Sequence, residues 1–163
     1  MTTPAEFRAT LSQWASGVSV VTANEGGLLY GLTVSSFASV SLDPPLISVC
    51  LASGNRLVGM IERSRAFAVS ILAHDQAAAS QYFARSGREP TQDFTEIEGE
   101  WADPASVHRQ PVVRDALGWM ACEVHAAIPA GDHTLVIGRV DTTVVNPGRR
   151  PLVYWDRAYR DLG

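Results

Sequence analysis

Residues 31–46 read GLTVSSFASVSLDPPL, and their parity confines this part of the chain to β structure. The even positions Leu32, Val34, Ser36, Ala38, Val40 and Leu42 are apolar except for Ser36. The odd positions Thr33, Ser35, Phe37, Ser39 and Ser41 carry four hydroxyls around one aromatic ring. A period of two with unlike faces is the pattern of a half-buried strand. The spacing therefore predicts a strand whose even face enters a core. Its odd face is small and rich in hydroxyl groups, suited to letting a flat ligand approach the backbone.

The neighbouring segments read in the same way. VSVVTA (18–23) and LLYGLTV (28–34) flank NEGG, which predicts a hairpin. DPP at Asp43 interrupts the chain before the apolar strand LISVCLA (46–52). AFAVSIL from Ala66, two long strands around the AGD turn near Gly131, and PLVYW from Pro151 complete the β segments. Three helices are predicted. The first is capped by Thr3, with Pro4 at its start and Glu6 closing a capping box; Phe7, Leu11 and Trp14 share a face and Gly17 ends it. The second starts at Asn55. The third runs from His74 with Asp75 as its cap. Residues 85–110 form a long polar excursion with Pro90 and Pro104, of a length usually tied to function. About six or seven strands in hairpin groups against three helices predict a mainly β fold: an antiparallel barrel with flanking helices, in one domain spanning 1–163.

Composition excludes several classes. A net charge of −4 with no basic stripe argues against nucleic acid as a partner. No apolar run approaches the length of a membrane span, and the first residues lack the pattern of a leader, so a cytoplasmic protein is expected. Cys50 and Cys122 sit in apolar runs and are expected to be buried free thiols. There is no GxGxxG after a strand, no phosphate loop ending in Gly-Lys-Ser/Thr, no HExxH, no CxxC and no Gly-x-Ser-x-Gly. His74, His108, His125 and His133 are scattered, and spacing alone favours His133 as an exposed residue after a Gly-Asp turn.

Taken in order, FRATLSQWASGVSVVTA, GLTVSSFASVSLDPPLISVCL, FAVSIL, GDHTLVIGRV and PLVYWDRAYRDL resemble the flavin reductase family with the FMN-binding split-barrel fold, the small reductases of two-component flavin monooxygenases. The resemblance runs from Phe7 to Leu162. It implies that Thr33, Ser35, Ser36, Ser39 and Ser41 face a flavin, FMN or FAD, with Val34 and Val40 offering backbone amides to its ring. Cys50 and Leu51 then lie near the ring or the ribityl chain. Relatives carry a Ser or Asn and, two residues on, a Thr at the flavin phosphate. This chain has Asn55 and Leu57, with Arg56 between them as a substitute cation. The resemblance further places Phe83 and Ala84 where the site closes, His133 beside flavin and nicotinamide, and Tyr159 and Arg160 near the same pocket.

The activity so implied is hydride transfer from NADH or NADPH to the flavin, with the protein supplying orientation and electrostatics. The implied partners are a second copy of the chain in a homodimer and a separate flavin-dependent monooxygenase. A flavin-binding electron carrier of the same fold, and a flavin-dependent oxidase of a small substrate, stay open at this point.

Overall fold

In a computed structural model the structure describes residues 1–94, 101–102 and 109–162. Helix α1 (Pro4–Leu11) opens the chain. The Thr3 side chain accepts from Glu6 N while the Glu6 carboxylate accepts from Thr3 N at 2.8 Å, so the capping box forms. The helix stops sooner than its apolar spacing predicts. Ser12 caps it, and Gly17 belongs to the short strand β1 (Ser16–Gly17). None of its residues is buried; Phe7 and Leu11, like Trp14 beyond the helix end, face solvent.

Strands β2 (Ser19–Glu25) and β3 (Leu28–Val34) form the predicted hairpin, with positive φ at Gly26 and Gly27 as a two-residue twisted turn requires. Next come β4 (Ala38–Leu42), β5 (Pro45–Ala52), helix α2 (Arg56–Ser64), β6 (Ala66–Ile71) and helix α3 (Ala77–Ala84). The short strands β7 (Trp101–Ala102) and β8 (Val112–Val113) pair with each other. The long strands β9 (Gly118–Ala130) and β10 (His133–Val145) follow, and β11 (Val153–Trp155) and β12 (Ala158–Arg160) close the chain. Among the described residues every strand pairing is antiparallel, and the main sheet holds seven strands in the order β3-β2-β6-β9-β10-β5-β4. That is the predicted mainly β architecture with three helices.

The segment that opened the sequence reading is two strands, not one. β3 ends at Val34 at one edge of the seven-stranded sheet, and β4 begins at Ala38 at the other edge. Residues 35–37 cross between the edges. The Ser36 hydroxyl fastens the crossing, donating to Cys50 O at 2.9 Å and accepting from Cys50 N at 3.0 Å. The crossing also reverses parity. Leu32, Val34 and Phe37 pack against the core, whereas Val40 and Leu42 are exposed. Within β4 a register shift between Ser39 and Ser41 leaves Val40 as a bulge.

Strand β2 is buried on both faces. Val21 and Ala23 join a core with Val49, Leu51, Phe67, Val69 and the α2 residues Leu57 and Ile61. Val18 and Val20, at and just before its start, join a second core with Leu72, Phe83, Val113 and Leu152. Each such fully buried side chain contributes roughly 1.5–3 kcal/mol. Polar groups on the outer face are satisfied by the segment that covers it. Thr22 Oγ1 donates to Pro111 O, and Ser70 Oγ accepts from Val113 N at 2.9 Å. β10 bends over this core at Gly138, where a Cβ would lie 2.5 Å from Phe67 Cζ.

Three local expectations are corrected. α3 begins at Ala77, without a side-chain cap; Asp75 instead holds Arg149 in an ion pair. The chain does not end its β structure at PLVYW, because Asp156 and Arg157 at positive φ fold the terminal segment into the β11–β12 hairpin. The excursion is anchored at its start, where Thr91 bridges to Leu29 and Glu89 meets Arg56. Its remainder, 95–100 and 103–108 with His108, lies outside the described residues. Among the described residues no helix is long and apolar enough to cross a membrane, and both cysteines are free.

Candidate active site

The end of β3, the first turns of α3 and the terminal hairpin meet at Ser80. Thr33 Oγ1 donates to Ser80 O at 2.6 Å, and the Tyr159 hydroxyl donates to Ser80 Oγ at 2.8 Å. Ser80 is fully buried, and both bonds are partly shielded from water. Between these elements lies a cleft of about 200 Å³ lined by Thr33, Val34, Ser35, Ser80, Ala84, Tyr154 and Tyr159, with Val18 at its base. The rings of Tyr154 and Tyr159 meet edge to face, 5.6 Å between centroids. Ser35 is exposed at this cleft, and among the described residues its hydroxyl has no hydrogen-bond partner.

The cleft joins the other candidate residues through a run of contacts along one end of the sheet. Ser36 locks onto Cys50. Cys50 pairs with Leu135, and Ala52 with His133, across the β5–β10 ladder. Ser53 N donates to Asp132 O at 3.0 Å, and Ser53 Oγ lies 2.9 Å from Thr134 Oγ1. Asn55 caps α2, its side chain accepting from Leu57 N at 2.9 Å. Arg56 pairs with Glu89, and Arg88 stacks over Tyr30, Tyr82 and Phe83.

The candidates differ in what they present. Thr33, Val34, Ser35, Ala84 and Tyr159 line one cleft together. Leu51 and Phe83 have buried side chains, Leu51 is paired with Thr134 in the sheet, and the Phe83 carbonyl accepts from Arg88. Ser39, Val40 and Ser41 lie on the edge strand β4, and Arg160 stacks over Trp155 at 5.4 Å. His133 lines a second cleft, of about 600 Å³, against Asp132 and the start of α1. There a two-residue turn with positive φ at Gly131 starts β10, and His133 Nδ1 lies 2.7 Å from Asp132 Oδ1. That hydrogen bond holds the Asp132 carboxyl below its ordinary range. Asp132 accepts, so Nδ1 carries the proton and Nε2 is the nitrogen left for a ligand.

Sequence reading missed Ser80, Val18 and Tyr154. Ser80 sits inside a helix far from Thr33 in sequence, and nothing local marks it. Tyr154 carried a signal, since β11 was predicted as a strand and its partner Tyr159 was already a candidate.

These residues fit a planar heteroaromatic ligand. Short side chains at 33–36 open the backbone to it, two tyrosines supply an aromatic wall, and Ser35 brings an uncommitted hydroxyl. Among the described residues no group of three or more His, Cys, Asp or Glu is placed to hold a metal ion.

Comparison with known proteins agrees with this chemistry. Residues 11–163 match the family described as flavin reductase like domain. The chain is 36% identical over 156 residues to the 4-hydroxyphenylacetate 3-monooxygenase reductase component of Thermus thermophilus, covering 96% of this chain and 95% of that one. It is 36% identical over 163 residues to an NADH-dependent flavin reductase of a Rhodococcus species, covering 98% and 87%. Among solved structures it resembles BorF, the flavin reductase component of a bacterial two-component tryptophan halogenase, at TM-score 0.87 and 35% identity, with 97% of each chain covered.

Proposed function

Because the chain belongs to the flavin reductase like domain family, we propose that it oxidises NADH or NADPH, reduces FMN or FAD, and passes the reduced flavin to a separate monooxygenase. The relatives named as reductase components support that partner. The observation that carries the reading is the cleft at Ser80, where β3, α3 and the terminal hairpin frame a slot with a free Ser35 hydroxyl.

When bound, flavin supplies the electron acceptor, taking a hydride at N5 from C4 of the reduced nicotinamide. The chain supplies position. Thr33, Val34 and Ser35 line the ring's slot, with Ser36 setting the path of the crossing. Ser39, Val40 and Ser41 extend the same wall along β4. Ala84 and Tyr159 close the slot, with Phe83 as their buried support and Arg160 at the rim. Cys50 and Leu51 stand along the ribityl chain. Asn55 and Arg56 stand toward the phosphate, with Arg56 shared with Glu89. His133 borders the nicotinamide.

The protein acts as a homodimer in the cytoplasm. Two features support that reading: the exposed apolar side chains Val40 and Leu42 on an edge strand, and the free state of both cysteines.

The test is to mix purified protein with flavin and NADH and follow nicotinamide absorbance. Multiple turnovers are expected. A yellow complex that never turns over would instead identify a flavin carrier. Sedimentation at micromolar concentration should give a dimer; a monomer would remove that part of the reading.

A further inference from the structure

The loop from β5 into α2 has little left to offer an anion. Ser53 Oγ lies 2.9 Å from Thr134 Oγ1, Gly54 has no side chain, and the Asn55 side chain is committed to Leu57 N. Leu57 is buried and has no side-chain donor. Arg56 remains, and a carboxylate already occupies it. Arg56 Nη1 pairs with Glu89 Oε2, and Nη2 donates to Glu89 Oε1 at 3.4 Å, so both carboxylate oxygens face the guanidinium. The segment around Glu89 is fixed on both sides. Arg88 donates to Gly31 O and to Phe83 O, and stacks 4.9 Å from the ring centres of Tyr30 and Tyr82. Thr91 exchanges two backbone hydrogen bonds with Leu29, at 2.6 and 3.0 Å. Glu89 is thus presented to Arg56 by an anchored segment. The pair stays open to solvent, with side chains 46% and 74% exposed. Such a pair is weak, and a phosphate brings more charge and the same paired oxygens to a guanidinium.

We infer that Glu89 sets the affinity for flavin: it holds Arg56 as a built-in stand-in for the flavin phosphate, and flavin binds by displacing it. The inference rests on the proposed function, in which Arg56 stands toward that phosphate. Each binding event then exchanges one ion pair for another, so the net gain is small. Each departure is helped by a carboxylate that the anchored segment keeps at hand. Loose binding of this kind suits a flavin that leaves, once reduced, for a separate monooxygenase.

The experiment measures binding by flavin fluorescence quenching, which needs no turnover. It compares the better-binding of FMN and FAD with riboflavin, which lacks phosphate. Glu89→Gln and Arg56→Gln change exposed side chains, and their urea unfolding midpoints should stay close to wild type. Glu89→Gln should tighten the phosphate-bearing flavin about fivefold, mostly through slower release, the size expected for removing an exposed competing pair. Riboflavin affinity should stay within about twofold of wild type. Arg56→Gln should weaken the phosphate-bearing flavin, and in that background Glu89→Gln should give no further gain. Where riboflavin binds too weakly to measure, this double variant decides. Unchanged or weaker binding in Glu89→Gln would make the pair a structural clasp and overturn the assignment. So would an equal gain for riboflavin, or a gain that persists without Arg56, which would mean simple repulsion between Glu89 and the ligand. If the wild type binds flavin but Arg56→Gln binds it equally well, this inference alone fails. If the wild type binds no flavin, the reductase reading fails with it.

Discussion

The Tyr159 hydroxyl donates to Ser80 Oγ at 2.8 Å, joining the last strand of the chain to the middle of α3. Ser80 also takes the Thr33 hydroxyl on its carbonyl. One buried serine thus sets the spacing of three elements around the candidate flavin cleft. The terminal hairpin has few other anchors: the β1–β11 pairing, the Asp156 N–H to Ser12 O at 3.0 Å, and the Arg150–Asp161 ion pair.

Tyr159→Phe should therefore lower stability by about 1–3 kcal/mol, because it strips a partner from a buried hydroxyl. The aromatic wall remains, so flavin affinity should fall only a few-fold. Tyr159→Ala removes the wall as well and should weaken flavin binding much further. Urea unfolding and flavin fluorescence quenching measure the two effects. An unchanged unfolding midpoint in Tyr159→Phe would show that the bond holds nothing in place.

Ser36→Ala tests the crossing between the sheet edges. The variant loses both bonds to Cys50, and water can reach Cys50 N–H only in part, since Cys50 is half-buried. A loss of about 1 kcal/mol is expected. Flavin affinity should drop with it, because the crossing carries Ser35. A variant with normal stability and weakened flavin binding would instead make Ser36 a direct ligand.

How much of this was legible follows from what each signal depends on. The capping box at Thr3 and the turns at Gly26 and Gly131 are local chemistry, and the structure contains them as read. The barrel class followed from hairpin grouping, also local. The parity of 31–42 misled because alternation runs on through a crossing: the chain changes edges at 35–37 while the hydroxyl pattern continues, and so Val40 and Leu42 came out exposed. Asp75 looked like a helix cap until Arg149, distant in sequence, claimed it. Ser80 was invisible for the same reason. Its partners Thr33 and Tyr159 come from opposite ends of the chain, and only the closed fold brings them within hydrogen-bond reach.

The two thiols should behave differently. Burial, with the negative charge of Asp141 added, pushes the Cys122 thiol up to about 12. At pH 8 a thiol-reactive dye should label the native protein once, at half-buried Cys50, and twice after unfolding. The same shift predicts a linkage. Between the unfolded thiol's ordinary value near 9 and the folded value of about 12, the unfolded state holds fewer protons. Stability should fall as pH rises through that window, and less so in Cys122→Ala. Rapid labelling of both thiols in the native state would contradict the burial.

His133 gives the sharpest test of the proposed chemistry. Hydride transfer to N5 needs no proton from the protein in the same step, so His133 is expected to orient the donor rather than to act as acid or base. Its Nδ1 is fixed by Asp132 at 2.7 Å, which leaves Nε2 outside that bond, on a residue that lines the cleft. Positioning acts through near-attack geometry, where small displacements cost much. His133→Ala should raise KM for NADH and slow flavin reduction by about tenfold to a hundredfold, ~1.4–2.7 kcal/mol. Flavin binding should be spared. Asp132→Asn should fall between wild type and His133→Ala, because an amide can still hold the ring but no longer selects one tautomer. His133→Ala should impair NADH and reduced nicotinamide riboside alike, since both carry the nicotinamide ring. Stopped-flow reduction of bound flavin separates the outcomes. Wild-type rates with both donors would make His133 a turn residue only, and the nicotinamide would then have to lie against Tyr154 and Tyr159.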